Sequence, residues 1–511
     1  MTEVSGTNRR QILRLGLLAA GGAGLAGSGL AGCGPADKPA QAAAPTLLRV
    51  AAADATNTTG LDPRSVSAGA SVIVVQHVYD SLMALEDSTF KLKLAESVEP
   101  NADATRWTIR LRSGVTFHDG RPVRAADVAY SIRTLATPPS NRASVYGEVD
   151  VANLKVVDER TVEVPLKRAR ADFREAVLVV FSTVFPEGTT DFSKAIGSGP
   201  YRLDASDERI VRLVANEDHW GGTPALRELE ITRIADASAR LAAVKDGQVD
   251  YAVGISAAGA QTERANPQVR IHRGGVANSN ALSFAMNQRL APFNDPRVRR
   301  AVRLAADRKA LVENALIGLG TPGDDVVGKG LPGYAKGLAE RSRDVDTARQ
   351  LFRDAGVSEL TLRASDLVPG FMTAAKLLSQ QLQEAGVKLT VQTVPADSFY
   401  ADLKALSTVP FQTFYYSNRP AQVHLSAVTN ERAVFNVTGA GPDHWKRLAA
   451  AQVTVDNDKR AAAFAELQRD FYDNGGDLLW GFQESIDVSN ASVKAVPVNQ
   501  TVQAFGRATF G

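Results

Sequence analysis

The chain has 511 residues, 58 basic and 56 acidic side chains, 44% hydrophobic residues and a single cysteine. Its near-neutral charge gives no reason to expect a nucleic acid or other polyanion as partner, and one thiol closes no internal disulfide and makes a poor metal site. Length and composition instead suit a large body of two or more lobes.

The first element is a leader. "NRRQILRLGLLAAGGAGLAGSGLAGC", residues 8–33, places Arg9, Arg10 and Arg14 ahead of an uncharged run from Leu15 to Gly32 and ends on Cys33. This is the layout of an export signal, and the run falls short of the roughly 20 apolar residues of a membrane span. The paired arginines with Ile12 and Leu13 resemble a twin-arginine signal. Leu30-Ala31-Gly32-Cys33 resembles a lipobox, whose cysteine is lipidated and becomes the new N-terminus, anchoring the chain to the outer side of a membrane. The expectation is a signal peptide over 1–32 and a Pro/Ala-rich flexible tether over 33–46. Losing residues 1–32 removes three of the basic and one of the acidic residues and leaves 55 of each. Gly22 to Gly27 also reads G-x-G-x-x-G, but no strand precedes it and the match is compositional.

Beyond the tether the pattern predicts strands at 47–53, 105–112 and 161–166 and helices at 69–85, 125–134 and 239–246 in an N-terminal lobe. Asp119-Gly120 is a hairpin-type turn signal, and Gly197, Gly199 and Pro200 predict a rigid turn opening a strand at Tyr201. The helix at 125 has Arg124 where a capping Ser or Thr is preferred. Farther on, "DPRVRRAVRLAADR", residues 295–308, has Asp295 as N-cap, Pro296 at the first helical position, and Val298, Ala301, Val302 and Ala305 on one face. "ARQLFRDAGVSELTLRA" and "AAKLLSQQLQEAGVKLTVQTV" each run helix, Ala-Gly-Val, strand, which predicts βαβ units in an α/β lobe centred on 359–394.

One long stretch, "LAESVEPNADATRWTIRLRSGVTFHDGRPVRAADVAYSIRTL" at 94–135, joins "LDPRS" at 61, "GSGPYRL" at 197, "NEDHWGGTPALRELEITRI" at 216, "DGQVDYA" at 246 and "FAMNQRLAPFNDPRVRRAVRLAADRKALV" at 284. In this order they resemble the extracellular solute-binding proteins of ABC importers, family 5, the peptide/nickel class. The resemblance implies an α/β, two-lobed periplasmic-binding-protein fold of the class II type, with an extra subdomain on the first lobe. It places lobe I at 47–278 with the subdomain at about 84–200, lobe II at 279–480, a return to lobe I at 481–511, and Asn278 to Ser283 near a hinge crossing. It implies no catalytic residue and no cofactor; nickel is the other ligand of the class, direct metal binding is not expected from the histidines of this chain, and a metal carried by a small organic chelator stays open as a solute. The partners would be a peptide or peptide-like small solute and the permease and ATPase of an importer, met by an extracytoplasmic, lipid-anchored monomer. Two alternatives carry less: a sensor lipoprotein of the same fold presenting its ligand to a receptor, and a lipid-anchored hydrolase, for which no G-x-S-x-G, H-E-x-x-H or Walker sequence is present.

The ligand is read from "PFQTFYYSNRPAQVHLSAVTNERAVFN", residues 410–436. Peptide-binding members of the family commonly bring a Trp-rich strand here and an aspartate for the peptide's ammonium. This chain has neither Trp nor Asp, and Glu431 is its only acid in the stretch. Tyr415 and Tyr416 offer aromatic faces, Asn418 an amide, and Arg419 a fork suited to a carboxylate. These four are the candidate ligand residues, and Cys33 is the candidate lipidation site. The six histidines show no paired metal-ligand spacing, and His424, near the candidate site, is expected to be satisfied by backbone or solvent.

Overall fold

Two sheets organise the chain, and each places apolar side chains on both faces, as strands covered by helices on both sides require. In the computed structural model the described residues run from 46 to 511, apart from 55–59, 67–68, 87, 180–181, 404, 495, 497 and 499–504. The expected leader, Cys33 and nearly all of the expected tether lie outside the described residues. The first sheet has seven strands in the order Val269–Arg273, Ile486–Asn490, Tyr251–Ala252, Leu47–Ala52, Glu228–Arg233, Ile210–Ala215 and Tyr201–Ser206. Leu47–Ala52 is central and parallel to both neighbours. Its Leu48, Val50 and Ala52 enter one core and Ala51 the core on the opposite face.

The second sheet has six strands, ordered Gly320–Pro322, Asp477–Glu484, Ser279–Met286, Phe411–Ser417, Glu359–Ala364 and Lys388–Thr393. Glu359–Ala364 and Lys388–Thr393 are parallel and joined by the helix Phe371–Glu384, the βαβ unit that the repeated helix-turn-strand pattern predicts. Both helices of that repeat stop before a left-handed glycine, Gly356 at φ 67° and Gly386 at φ 83°.

A separate four-stranded sheet, Ala95–Pro100, Arg106–Leu111, Thr161–Pro165 and Lys155–Asp158, packs with the helix Ala125–Ala136. The cap missing at Arg124 is supplied from inside the first turn. Asp127 accepts the Arg124 backbone N–H and the Glu187 backbone N–H, each at 2.8 Å. The helix expected at 69–85 is Gly69–Val78, and Met83–Glu86 is a strand. A long-range contact ends it. Gly197 and Gly199 press on the helix C-terminus so closely that an added Cβ would lie 2.0 Å from the Val78 carbonyl oxygen and 2.5 Å from that of His77. Beyond the helix, buried Asp80 accepts from Ser198 Oγ at 3.1 Å and Trp220 Nε1 at 2.8 Å.

The chain passes between the two large sheets twice, between Arg273 and Ser279 and at Ser485. Residues 481–484 pair with Ser279–Leu282 inside the second sheet, so the return to the first sheet begins at Ile486. Within 278–283, only Asn278 lies in the crossing; Ser279 onwards is sheet.

The second sheet is braced by a buried charge cluster. Asp325 is fully buried and accepts from Arg308 Nη2 at 2.8 Å, Arg341 Nε at 3.0 Å and the Leu479 backbone N–H at 3.1 Å, with Arg303 Nε at 3.8 Å. Burial alone would push its carboxyl up, but the three guanidinium groups hold it below the ordinary value. Breaking a buried ion pair by removing one partner costs about 3–5 kcal/mol, because the other charge is left buried and uncompensated. Asp325→Ala is therefore expected to lower unfolding free energy by about that amount in a urea titration. A change near zero would show the arginines compensated by carbonyls alone.

Candidate functional site

Where parallel strands of an open sheet end together, the crevice outside their carboxyl ends is the usual binding place. Both sheets turn that edge toward the crossings. In the first, Leu47–Ala52, Glu228–Arg233 and Tyr251–Ala252 end there. In the second, Glu359–Ala364, Lys388–Thr393 and Phe411–Ser417 do the same. The crossings are tied by hydrogen bonds from Gly274 N–H to the Ser485 carbonyl and from Ser485 N–H to the Asn278 carbonyl, both 2.9 Å. Arg273 forks onto Glu484 at 2.8 and 3.0 Å across the same point. The cleft therefore has a hydrogen-bonded floor and two polar walls.

On the first wall, Asp54 accepts from Ser71 Oγ at 2.7 Å and Arg233 Nε at 2.9 Å. Asp487, at the start of the returning strand, is buried and accepts from Tyr251 Oη at 2.7 Å and Gly254 N–H at 2.8 Å. Burial pushes its carboxyl up to about 6, although both donors favour the charged form. These groups have partners within the protein, and sequence reading missed them because the partners lie up to 236 positions away.

The second wall carries the candidate residues, and they separate into three roles. Tyr416 is buried, its ring 4.8 Å from that of His424 and its hydroxyl 3.3 Å from Asp477 Oδ1. Asn418 is also buried: its Oδ1 accepts the Gly328 N–H at 2.8 Å, and its Nδ2 donates to the carbonyls of Val276 at 2.7 Å and Lys329 at 3.0 Å. That amide fastens the loop at 328–329 to the crossing and has no donor left for a solute. Tyr415 faces the opposite side of the strand, packing on the core around Leu282 and Phe411 and sharing a hydrogen bond with Tyr400.

Arg419 differs from all three. Its Nε donates to the Ser417 carbonyl at 3.3 Å, and among the described residues no carboxylate forms an ion pair with it. Burial lowers its pKa from the usual value. The residue is half-buried, so a guanidinium without an acid carries part of the desolvation cost, and an anion arriving from the cleft would offset it. Close by, His424 is buried with Nδ1 lacking a partner, contrary to the sequence expectation, and burial with the nearby Arg419 charge holds its pKa down to about 3. The neutral imidazole thus adds no counter-charge.

Comparison with known proteins agrees with this architecture. The model of bacterial extracellular solute-binding proteins, family 5 Middle, matches residues 89–424. The glutathione-binding protein GsiB of Shigella boydii is 30% identical over 373 residues, covering 70% of this chain and 71% of that one. Among solved structures, the murein tripeptide-binding protein MppA in its unliganded open form has a TM-score of 0.78 at 18% identity, covering 91% of this chain and 97% of the other. The Helicobacter pylori binding protein DppA, in complex with the peptide STSA, has a TM-score of 0.71 at 18% identity over 91% and 98%. At such identities the structural likeness establishes the two-lobed fold.

Asp487 gives this region a pH signature. Its pKa is raised on folding from 3.8 to about 6, so the folded chain holds its proton more tightly than the unfolded one. The resulting stability is present in full below the unfolded value and is lost as pH rises through the folded one. Asp487→Asn is expected to reduce the gain in urea midpoint between pH 7 and pH 5 relative to the parent. An unchanged pH profile would contradict the assignment.

Proposed function

The chain belongs to the bacterial extracellular solute-binding proteins of family 5, and from that premise we propose that the solute it delivers to an ABC importer is a peptide or peptide-like molecule whose carboxylate is held by Arg419. The observation that carries the ligand reading is the Arg419 guanidinium at the carboxyl edge of the second sheet, half-buried and without an acidic partner among the described residues. The one acid of the stretch 410–436, Glu431, is solvent-exposed. Glutathione, named in the GsiB relative, is a small peptide with two carboxylates and suits such a site. Tyr415, Tyr416 and Asn418 then shape and brace the wall, while Arg419 meets the ligand. Because a single chain supplies both walls, a monomer suffices. We further propose that Cys33, at the end of its lipobox-like segment, carries the lipid that keeps the protein at the membrane where the permease works.

Capture follows from differential contact. A solute touching both walls favours the closed arrangement over the open one by whatever contact the open form lacks. A hydrogen bond to a charged group contributes about 1.5–3 kcal/mol, or roughly tenfold to a hundredfold in affinity. Arg419→Ala should weaken calorimetric binding of glutathione, or of the solute that copurifies, by that factor, with little change in the melting temperature of the empty protein. Arg419→Lys should recover only part of the loss, since an ammonium lacks the planar fork. Equal affinity in Arg419→Ala would remove Arg419 from the site. For the anchor, Cys33→Ala should move the protein from the membrane to the soluble fraction, and unchanged membrane retention would refute lipidation there.

A further inference from the structure

The lobes also meet through residues outside the crossings. On the first-lobe side, Trp107 Nε1 donates to the Arg170 carbonyl at 3.0 Å, and Phe173 packs 5.8 Å from the Trp107 ring in the first-lobe core. Between those anchors stands Asp172, 0% exposed. Its Oδ1 accepts from Arg170 Nε at 2.8 Å, and its Oδ2 accepts from Ser426 Oγ at 2.8 Å, 254 positions away. Ser426 sits on the helix Ala421–Val428 of the second lobe. The preceding residue makes a second bridge: Ala171 N–H donates to the carbonyl of Gln452, on the helix Pro442–Val453, at 2.6 Å. Leu425, Leu448 and Ala451 join these two helices in one core, so both bridges are carried by one packed unit. Directly after Asp172, residues Arg174–Leu178 form a π-helical turn, a form often found at functional sites.

We propose that Asp172 and Ser426 are positioning residues for solute capture, the two halves of a latch that forms when the lobes close and sets affinity without touching the solute. The inference rests on the two-lobe capture described above, but not on the identity of the solute or on Arg419. Parting the lobes returns the Asp172 carboxylate to water, which replaces the Ser426 hydroxyl. Closing them takes the carboxylate out of water, which is costly unless donors are provided. Arg170, two residues away, can accompany Asp172 in both arrangements, whereas Ser426 is present in one only. The latch is therefore sensitive to the loss of a single hydroxyl. Since apparent affinity is the intrinsic affinity scaled by the closed fraction, weakening the latch weakens the binding of every solute by one common factor.

The chain's one native cysteine is Cys33, so the full chain with Cys33→Ala, Asp172→Cys and Ser426→Cys contains a single thiol pair. Cysteine is one atom shorter than aspartate, so the pair that meets at 2.8 Å is bridged with a short reducible bis-thiosulfonate linker rather than directly. The linker is expected to cross-link the pair, and solution X-ray scattering should then show a smaller radius of gyration than after reduction. Thiols that stay free in a variant melting like its parent would overturn the proposal. The cysteine pair removes the native contact, so a second set tests it directly. Ser426→Ala is expected to shift the closed-to-open ratio roughly tenfold to a hundredfold, the value of a hydrogen bond to a charged group, giving a larger radius of gyration in a chain that remains folded at the temperature of measurement. Ser426→Thr, which keeps the hydroxyl, should restore the parent radius. If the Ala and Thr variants scatter alike, the contact carries no closing energy and the latch is refuted. None of these readouts needs a solute. Normal glutathione binding in Arg419→Ala would sink the carboxylate reading and leave the latch standing.

Discussion

Everything about the binding cleft depends on two short crossings that are hydrogen-bonded to each other. Gly274, Asn278 and Ser485 exchange backbone hydrogen bonds at 2.9 Å, so the two connections between the sheets form one ladder, reinforced by the Arg273–Glu484 fork. A ladder of this width joins the lobes while leaving few contacts to resist a change of angle. It also fixes which edges meet. Because Val269–Arg273 and Phe411–Ser417 both run toward the crossings, the strands of each sheet that share their direction must present their carboxyl ends to the same crevice. Loop residues following those ends become the walls of the site, whatever their chemistry.

That constraint explains why polar groups near the cleft fall into two kinds. Most are consumed in holding the walls: Asn418 fastens a loop to the crossing, Asp54 joins Ser71 and Arg233, and Asp487 receives Tyr251 and Gly254. Arg419 is different because one hydrogen bond to a carbonyl leaves its half-buried charge without an acid among the described residues. Arginines elsewhere show how this chain handles the same problem without a ligand. Arg303 lies deeper still, and it donates to the carbonyls of Asp477, Tyr472, Asp473 and Gly475 and stands beside Asp325. Against that internal standard, the guanidinium at 419 lacks an acidic partner among the described residues.

Local chemistry was legible in the sequence, and distant chemistry was not. The Asp295-Pro296 start, with the Asp295 side chain accepting from the Arg297 N–H, is written within three residues and opens the helix Pro296–Ala305. The glycine stops at 356 and 386 and the parallel strands after them follow from period and punctuation in the same way. The end of the helix at Val78 does not, because Gly197, Ser198 and Trp220 decide it from more than a hundred residues away. Within the candidate site, the residue types at 415–419 identified a stretch that the fold does bring to the cleft edge. Their roles depended on Asp477, Gly328 and Tyr400, none of which is near in sequence. The contact between Asp172 and Ser426 carried no sequence signal at all.

The central proposal is that the cleft captures a solute through an anionic group that compensates Arg419. Its most direct test is mass spectrometry of the small molecule that stays bound when the protein, purified under native conditions from the organism that makes it, is denatured. The account predicts a peptide or peptide-like solute bearing a carboxylate, lost when Arg419→Ala is purified in the same way. A solute with no acidic group, retained equally by the parent and by Arg419→Ala, would contradict it.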